Sequence, residues 1–428
     1  MTDDPMLYPN AGRADGASDG VSRRRLLASG VAAGAVAAAG CTGGDDSDGD
    51  ADGTGGGSEG QATVFVFNTG DGTVSLIDPD RDEIVGTRAI GLSSSFPSNQ
   101  YTPELADDRR ESLWLNVGSG VRGLSIGSLS ETASVETGSG ANWLERTPGG
   151  DHVVVSAREP AHAQFRIDAD PDSESFGDVT AEIDRRPEGG RGDNEGPGPC
   201  DVTVHPDGAY AYVPDLYGDT LSVLSIDPFE IETQVDVEPI GDGPASPWMG
   251  TVSPDGDTLL VEHNEGNAGT ESIWDVSDPA APEETTRLTA DDDLGGSPLT
   301  SEIGPDSETG YVFTPGSNDV TVLDLADGRV TTRLDLGGSA FVGTWNPART
   351  KLYVPVQTND EVAVIDHERG EITGRIDVGP APYGATAARV RPRRTPTSSL
   401  SVAAARLGMT DETETTYCIG NCACGHRL

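Results

Sequence analysis

One motif recurs from residue 62 onward and limits what this chain can fold into: a strand-like run that ends at a proline-bearing turn. It is found at Pro103, Pro148, Pro206, Pro254, Pro305 and Pro347, with spacings of 45, 58, 48, 51 and 42 residues. A period of this size marks a repeat architecture and has to be read before any single element. The turn is clearest in His205-Pro206-Asp207-Gly208 and Ser253-Pro254-Asp255-Gly256, where proline presets one turn dihedral and glycine accepts a left-handed one. An alternating strand follows several of these turns, as in Ala209 to Val213, Thr258 to Val261, Gly310 to Phe313 and Lys351 to Val354. A further strand closes in Asp, at Asp78, Asp168, Asp227, Asp324 and Asp366, with weaker copies ending near Ile126 and at Asp275, which makes seven units.

Each unit supplies about four short strands, one sheet whose two faces must both be covered. Stacking the sheets around an axis covers both faces and protects the edges, whereas a linear solenoid would need capping units, and none is visible. The sequence therefore predicts an all-β, seven-bladed β-propeller over residues 62–390. The 56 Gly and 29 Pro, with only 5% aromatic residues, suit short strands joined by turns. Residues Pro382 to Arg389 read as a first strand with no second strand after them, and Val64 to Asn68 as a second strand with no first before them. The two are expected to share a blade and close the ring without a covalent link.

Charge and targeting signals bound the habitat. The chain has 72 Asp+Glu against 28 Lys+Arg, a net charge of -44, which repels phosphate backbones and excludes nucleic acid as a partner. Only one lysine, Lys351, is present; this arginine-only, acid-rich pattern resembles proteins of extreme halophiles, whose carboxylates hold water and cations in strong salt. Ser22-Arg23-Arg24-Arg25-Leu26-Leu27 opens an apolar stretch that reaches Gly40. It is too short to span a membrane and resembles a twin-arginine export signal ending in a lipobox at Ala38-Ala39-Gly40-Cys41. Residues 1–41 are thus read as a signal peptide with Cys41 as the lipidated residue, and 42–61 as a flexible Gly/Asp tether. Within the tether, Asp48, Asp50, Asp52, Gly53 and Glu59 match the spacing of a calcium loop, but no helices flank them and the match is ascribed to low complexity.

The runs Val64-Phe65-Val66-Phe67-Asn68-Thr69, Tyr353-Val354-Pro355-Val356 and Val378-Gly379-Pro380-Ala381-Pro382-Tyr383-Gly384 resemble the YVTN repeat of surface-layer-type seven-bladed propellers. That resemblance implies an extracytoplasmic protein with an interaction role and names no activity. A weaker resemblance joins Gly198 to Gly208, followed by Tyr210-Ala211-Tyr212-Val213, to the lactonase branch of seven-bladed propellers. The Arg-His pair of that branch corresponds here to Cys200 and Asp201, and its Asn-Glu to Asp215 and Leu216. These departures remove the acid-base and carbonyl-stabilising chemistry that a lactonase needs.

In such a propeller the first strand of each blade starts on the face where the second strand ends, so those positions converge on one channel mouth. Trp143, Arg158, Cys200, Asp201, Trp248, Met249, His263, Phe341 and Tyr383 are the expected mouth residues, accompanied by Phe96, His162, Tyr217, Asn264 and Glu265. Such a ring suits a small ligand or peptide; equally, its aromatics plug the funnel. Cys200, Met249 and His263 form a soft set of the kind copper prefers. His152 and His205 are expected at the opposite, turn-bearing face in structural roles. The insertion from Asp184 to Pro199 is read either as a mobile lid or as a tolerated surface loop.

Residues 391–428 form a linker and a tail. Arg389, Arg391, Arg393 and Arg394 make a basic cluster in an acidic protein, suited to pairing with its own carboxylates or with anionic lipid heads. Cys418, Cys422, Cys424 and His426 are four soft ligands within nine positions. They suit zinc or copper(I), or alternatively disulfides in an oxidising exterior. The reading is a monomeric, lipid-anchored binding scaffold at the outer face of the cell membrane, with no catalytic residue assigned. A copper- or zinc-binding oxidoreductase or accessory protein is the first alternative and a lactonase-like hydrolase the second. If the tail binds metal, the reduced protein retains copper or zinc in equilibrium dialysis and loses that capacity when residues 410–428 are removed.

Overall fold

The computed structural model describes residues 61–97, 106, 108–394 and 398–409, together with the backbone at 414–415. The signal peptide, Cys41, the calcium-loop match and the metal-ligand candidates Cys418, Cys422, Cys424 and His426 lie outside the described residues, as does Pro103.

Seven sheets follow one another, and the chain is a seven-bladed β-propeller. Five blades are complete runs of four antiparallel strands: blade 3 starts at Trp143–Arg146, blade 4 at Thr203–Val204, blade 5 at Pro247–Val252, blade 6 at Thr300–Ile303 and blade 7 at Thr344–Trp345. Blade 2 pairs Ser112–Val117, Gly120–Ser125 and Glu131–Glu136, with the segment around Ser94 to Phe96 on its axial side, where Asn116 accepts from the Ser94 hydroxyl at 2.5 Å and the Phe96 amide at 2.9 Å. Blade 1 is the seam. Pro382–Ala388 pairs with Thr63–Asn68 in the register Thr63↔Ala388, Phe65↔Thr386 and Asn68↔Pro382, so the N- and C-terminal strands share a sheet as expected.

The pattern of burial follows from this stacking. Second and third strands are covered on both faces by neighbouring blades, and Thr63–Asn68 and Thr73–Asp78 are buried at every position. Fourth strands have one open side: Glu230–Asp236 alternates exposed and half-buried residues. In all seven blades the pairing of third and fourth strands carries a register shift, for example between Leu76 and Ile77, Val223 and Leu224, and Val364 and Ile365. Such a bulge increases local twist, which lets sheets fan out from a common axis. The repeated Asp works in the turn that follows. Asp78, Asp168, Asp275 and Asp366 each accept a backbone N–H two or three residues ahead, the side-chain mimicry of a turn that Asp provides.

Inner strands are tied to one another by side chains that reach the next blade's backbone. The Ser156 hydroxyl donates to the Asp201 carbonyl at 2.7 Å, the Gly250 amide to Asp201 Oδ2 at 2.7 Å, Thr251 to the Ser301 carbonyl at 2.9 Å and Thr300 to the Phe341 carbonyl at 2.7 Å. Between blades 1 and 2 the backbones come so close that a Cβ on Gly384 would sit 2.3 Å from the Ser94 carbonyl oxygen; only glycine fits there.

One difference from the sequence reading concerns the region after the ring. Ser398–Arg406, read as linker, is an α-helix packed against Glu83–Ala89, the outer strand of blade 1. Its run of Ala403, Ala404 and Ala405 favours helix, and it shields an edge strand that would otherwise present unpaired backbone groups. Ending the chain after residue 381 exposes the second strand of blade 1, whose Val64, Phe65 and Val66 are fully buried. Such a chain is expected to lose cooperative thermal unfolding, followed by circular dichroism, whereas ending it after residue 394 keeps the ring and the cooperative transition.

Candidate functional site

Each first strand begins at the same end of the axis, and the structure gathers one side chain per blade there. Tyr383, Phe96, Trp143, Cys200, Trp248, Leu299 and Phe341, from blades 1 to 7 in order, belong to one buried cluster that also holds Met249. Phe96 packs on Trp143 with ring centroids 4.5 Å apart and meets Tyr383 edge-on at 5.8 Å, while Tyr383 stacks on Phe341 at 4.9 Å. None of these side chains exceeds 5% exposure. Of the two sequence readings of these aromatics, an open binding ring or a plug, the mutual packing of Phe96, Trp143, Tyr383 and Phe341 and their burial favour the plug.

The polar candidates sort differently. Cys200 Sγ lies 3.9 Å from Met249 Sδ, 3.2 Å from Asn142 Nδ2 and 3.6 Å from Arg158 Nη1, so blades 3, 4 and 5 do meet at this thiol. Arg158 is itself buried and pairs with Glu159 at 2.8 Å. His263 is not part of the group it was expected to join. Its Nε2 is 2.7 Å from the Ser272 hydroxyl on the neighbouring strand, and burial, then Arg287, holds the ring well below its ordinary pKa. The imidazole is neutral and turned into the blade face, because the side chain of a residue at the end of the second strand follows the sheet's alternation. The copper-type set of Cys200, Met249 and His263 is therefore reduced to a Cys–Met contact. Among the described residues no group of three or more His, Cys, Asp or Glu is placed to hold a metal ion.

Asp201 is buried beside the plug. It accepts the Val202 and Gly250 amides, and its pKa is raised well above the carboxylate range by burial, with a smaller push from Glu262 and Glu145. Below it runs a layer that sequence reasoning missed. Glu145, Thr203, Thr251, Glu302, Thr344 and Thr386 each stand opposite the third residue of their blade's second strand, and all are buried. The signal was present: the first five lie three residues before the repeat prolines Pro148, Pro206, Pro254, Pro305 and Pro347. Beside this layer Glu262 faces Glu271 directly across two strands of blade 5. Burial pushes Glu262 up to about 8 and raises Glu271 well above the carboxylate range, with Glu262 adding to the latter. Two carboxyls this close inside a protein cannot both ionise readily, so the pair favours a shared proton.

The Asp184 to Pro199 insertion is fixed in place by a buried clamp. Arg185, fully enclosed, pairs with the equally enclosed Asp215 at 2.9 Å and with Glu188, and also donates to Ser222 at 3.0 Å. Farther along, Arg191 pairs with Asp219 at 2.5 Å and donates to Ser246 at 2.9 Å. These bonds argue for an ordered rim element in place of a mobile lid. With Tyr217 and Gln234 it frames an open groove of about 520 Å³ at the edge of blade 4. Tyr217 donates to Glu159 at 3.2 Å. His205 takes the structural place expected for it, its Nε2 lying 3.0 Å from the Gly256 carbonyl of the next blade's turn.

The architecture is shared by many solved structures. A Lactobacillus plantarum protein superposes with a TM-score of 0.61 at 14% identity, covering 77% of this chain and 99% of its own. A putative 6-phosphogluconolactonase from Bacteroides fragilis gives 0.60 at 15% identity, covering 78% and 100%. The periplasmic gluconolactonase of Pseudomonas aeruginosa gives 0.58 at 16%, covering 76% and 99%. At these identities the likeness is one of fold. No family model matches the sequence, and no curated protein does.

Glu145 offers a direct test of the buried acid layer. Burial pushes its pKa up to about 8, although Oε2 accepts the Val204 amide at 2.8 Å and Thr203 lies beside it. The folded state holds this proton more tightly than the unfolded state. The resulting stability is complete below the unfolded value near 4.5 and is lost as pH rises through about 8. Glu145→Gln keeps the acceptor for Val204 and removes the charge. The variant should flatten the fall in urea midpoint across that window and be more stable than the parent on its alkaline side.

Proposed function

We propose that this chain is an exported, lipid-anchored propeller of the YVTN type that acts as a ligand- or protein-binding scaffold at the outer face of the cell membrane. The observation that carries this reading is the opposition of the two ends of the ring. The Thr63↔Ala388 pair occupies the place of a proline turn, so both chain ends leave blade 1 on the turn-bearing face. The plug and the groove beside Tyr217 belong to the other face. An anchor at Cys41 would attach through the end on the turn-bearing face and leave that other face free for a partner. Flat, rigid faces built on a closed ring suit partner recognition, and the fold tolerates many such uses.

Lactone hydrolysis is the alternative that a gluconolactonase and a putative 6-phosphogluconolactonase among the structural neighbours bring to mind. Against it, Cys200 and Asp201 stand where that chemistry would need a cation and a base, and both are fully buried. For a metal-dependent redox role, the Cys200–Met249 contact supplies two soft atoms, and the tail ligands supply the remaining candidates. Cys41→Ala is expected to move the protein from the membrane fraction to the soluble exported fraction with its fold intact. Gluconolactone should be hydrolysed no faster with the protein than without it; saturable turnover would replace the scaffold reading with the hydrolase.

A further inference from the structure

Six of the 28 basic residues of this acidic chain line a single cavity of about 370 Å³: Arg81, Arg88, Arg109, Arg391, Arg393 and Arg394. The cavity lies at the turn-bearing edge of blade 1, where Gln61 enters the ring and Arg391 leaves it. Two of the guanidiniums have structural partners. Arg81 pairs with Asp78 at 2.8 Å; Arg391 pairs with the same Asp78 at 3.1 Å and bolts the seam through the Ala62 carbonyl at 2.9 Å and the Thr63 hydroxyl at 3.2 Å. Three of the others meet backbone oxygens. Arg109 donates to the Arg391 carbonyl at 2.5 Å, Arg394 to the Val85 carbonyl at 2.8 Å, and Arg88 to its neighbour Thr87 at 3.0 Å and to the Arg393 carbonyl at 3.5 Å.

Among the described residues, Asp78 is thus the one carboxylate paired with this cluster, and it meets only two of its six arginines, Arg81 and Arg391. A chain with 72 acidic residues has ample means to neutralise such a cluster with its own side chains. Arg88 shows the cost of leaving it uncompensated: burial, then Arg394 beside it, lowers its pKa from the ordinary arginine value. Guanidinium groups converging on a concave polar cavity recognise phosphate bidentately, as planar forks matched to tetrahedral oxygens, and the volume falls in the range of small-molecule sites.

We propose that this cavity is a phosphate-binding site, taking the phosphate of a phospholipid headgroup or of a soluble phosphorylated ligand. The headgroup source rests on the anchoring proposed above. Nineteen residues lie between Cys41 and Gln61, and a Gly-rich random coil of that length would have a root-mean-square reach of about 25 Å. An anchored propeller therefore keeps the arginines within reach of the lipid surface, and their phosphate contacts fix which face meets it. The phosphate chemistry itself does not depend on lipidation.

The test uses the full chain carrying Cys41→Ser, so that no lipid anchor is present, and compares it with the same chain carrying Arg88→Gln and Arg393→Gln, neither of which bonds the seam strands. Inorganic pyrophosphate is titrated by calorimetry, and vesicles of pure phosphatidylcholine or of phosphatidylcholine with phosphatidylglycerol are tested by flotation, in salt at which circular dichroism shows both chains folded. Saturable pyrophosphate binding that weakens at least tenfold in the double variant supports the site. If flotation with the anionic vesicles also depends on the two arginines, the source is a headgroup; if pyrophosphate alone binds, it is a soluble ligand. Absence of saturable binding, or binding that the double variant leaves unchanged, overturns the proposal. A Cys41→Ser chain that binds phosphate normally while the parent proves never to be lipidated removes the anchor and leaves the site.

Discussion

The structure depends on one constraint: a four-stranded sheet with two apolar faces cannot be stable until something covers both. Here each sheet is covered by the next, and the last by the first. The fully buried second and third strands and the alternating outer strands are the direct record of that arrangement. Closure makes each interface depend on every other, since one missing blade would expose two faces. The side-chain-to-backbone bonds between inner strands, from Ser156 and Asp201 through Thr251 to Thr300, add a directional set of restraints where the blades are narrowest. Buried backbone groups near the axis find partners there that the short inner strands alone do not provide.

Much of the fold was legible because each feature has a local cause. The prolines mark turns, the closing Asp residues cap the next turn, and the orphan strands at the two ends specify the seam. The helix at Ser398–Arg406 was less legible: nine residues with a weak polar-apolar contrast give little periodic signal, and its docking site on Glu83–Ala89 exists only once the ring is built.

The site was legible in its position and not in its character. Trp143, Cys200, Trp248, Met249, Phe341 and Tyr383 meet as the strand order implies, because the topology decides where strand starts converge. Whether those rings leave a hole depends on packing distances between blades far apart in sequence, such as the stacking of Tyr383 on Phe341 across the interface of blades 1 and 7. His263 shows the opposite limit. The sequence places it in the loop after the second strand, whereas it is that strand's last residue and its imidazole meets Ser272 on the neighbouring strand, a one-residue question that no coarse strand boundary answers. The buried Glu and Thr layer was encoded at a fixed distance before the repeat prolines and needed alignment of the repeats by register to be recognised.

The seam between Thr63–Asn68 and Pro382–Ala388 has a consequence for the chain as an engineering object. Because the two ends meet where blades 3 to 7 have a short turn, the order in which blades occur along the polypeptide is not what holds them together. A linker joining the ends at blade 1, with new ends opened at the exposed turn after His205, would produce a circular permutant with the same ring of contacts. The wheel is defined by neighbours in space, and its starting point in sequence is arbitrary.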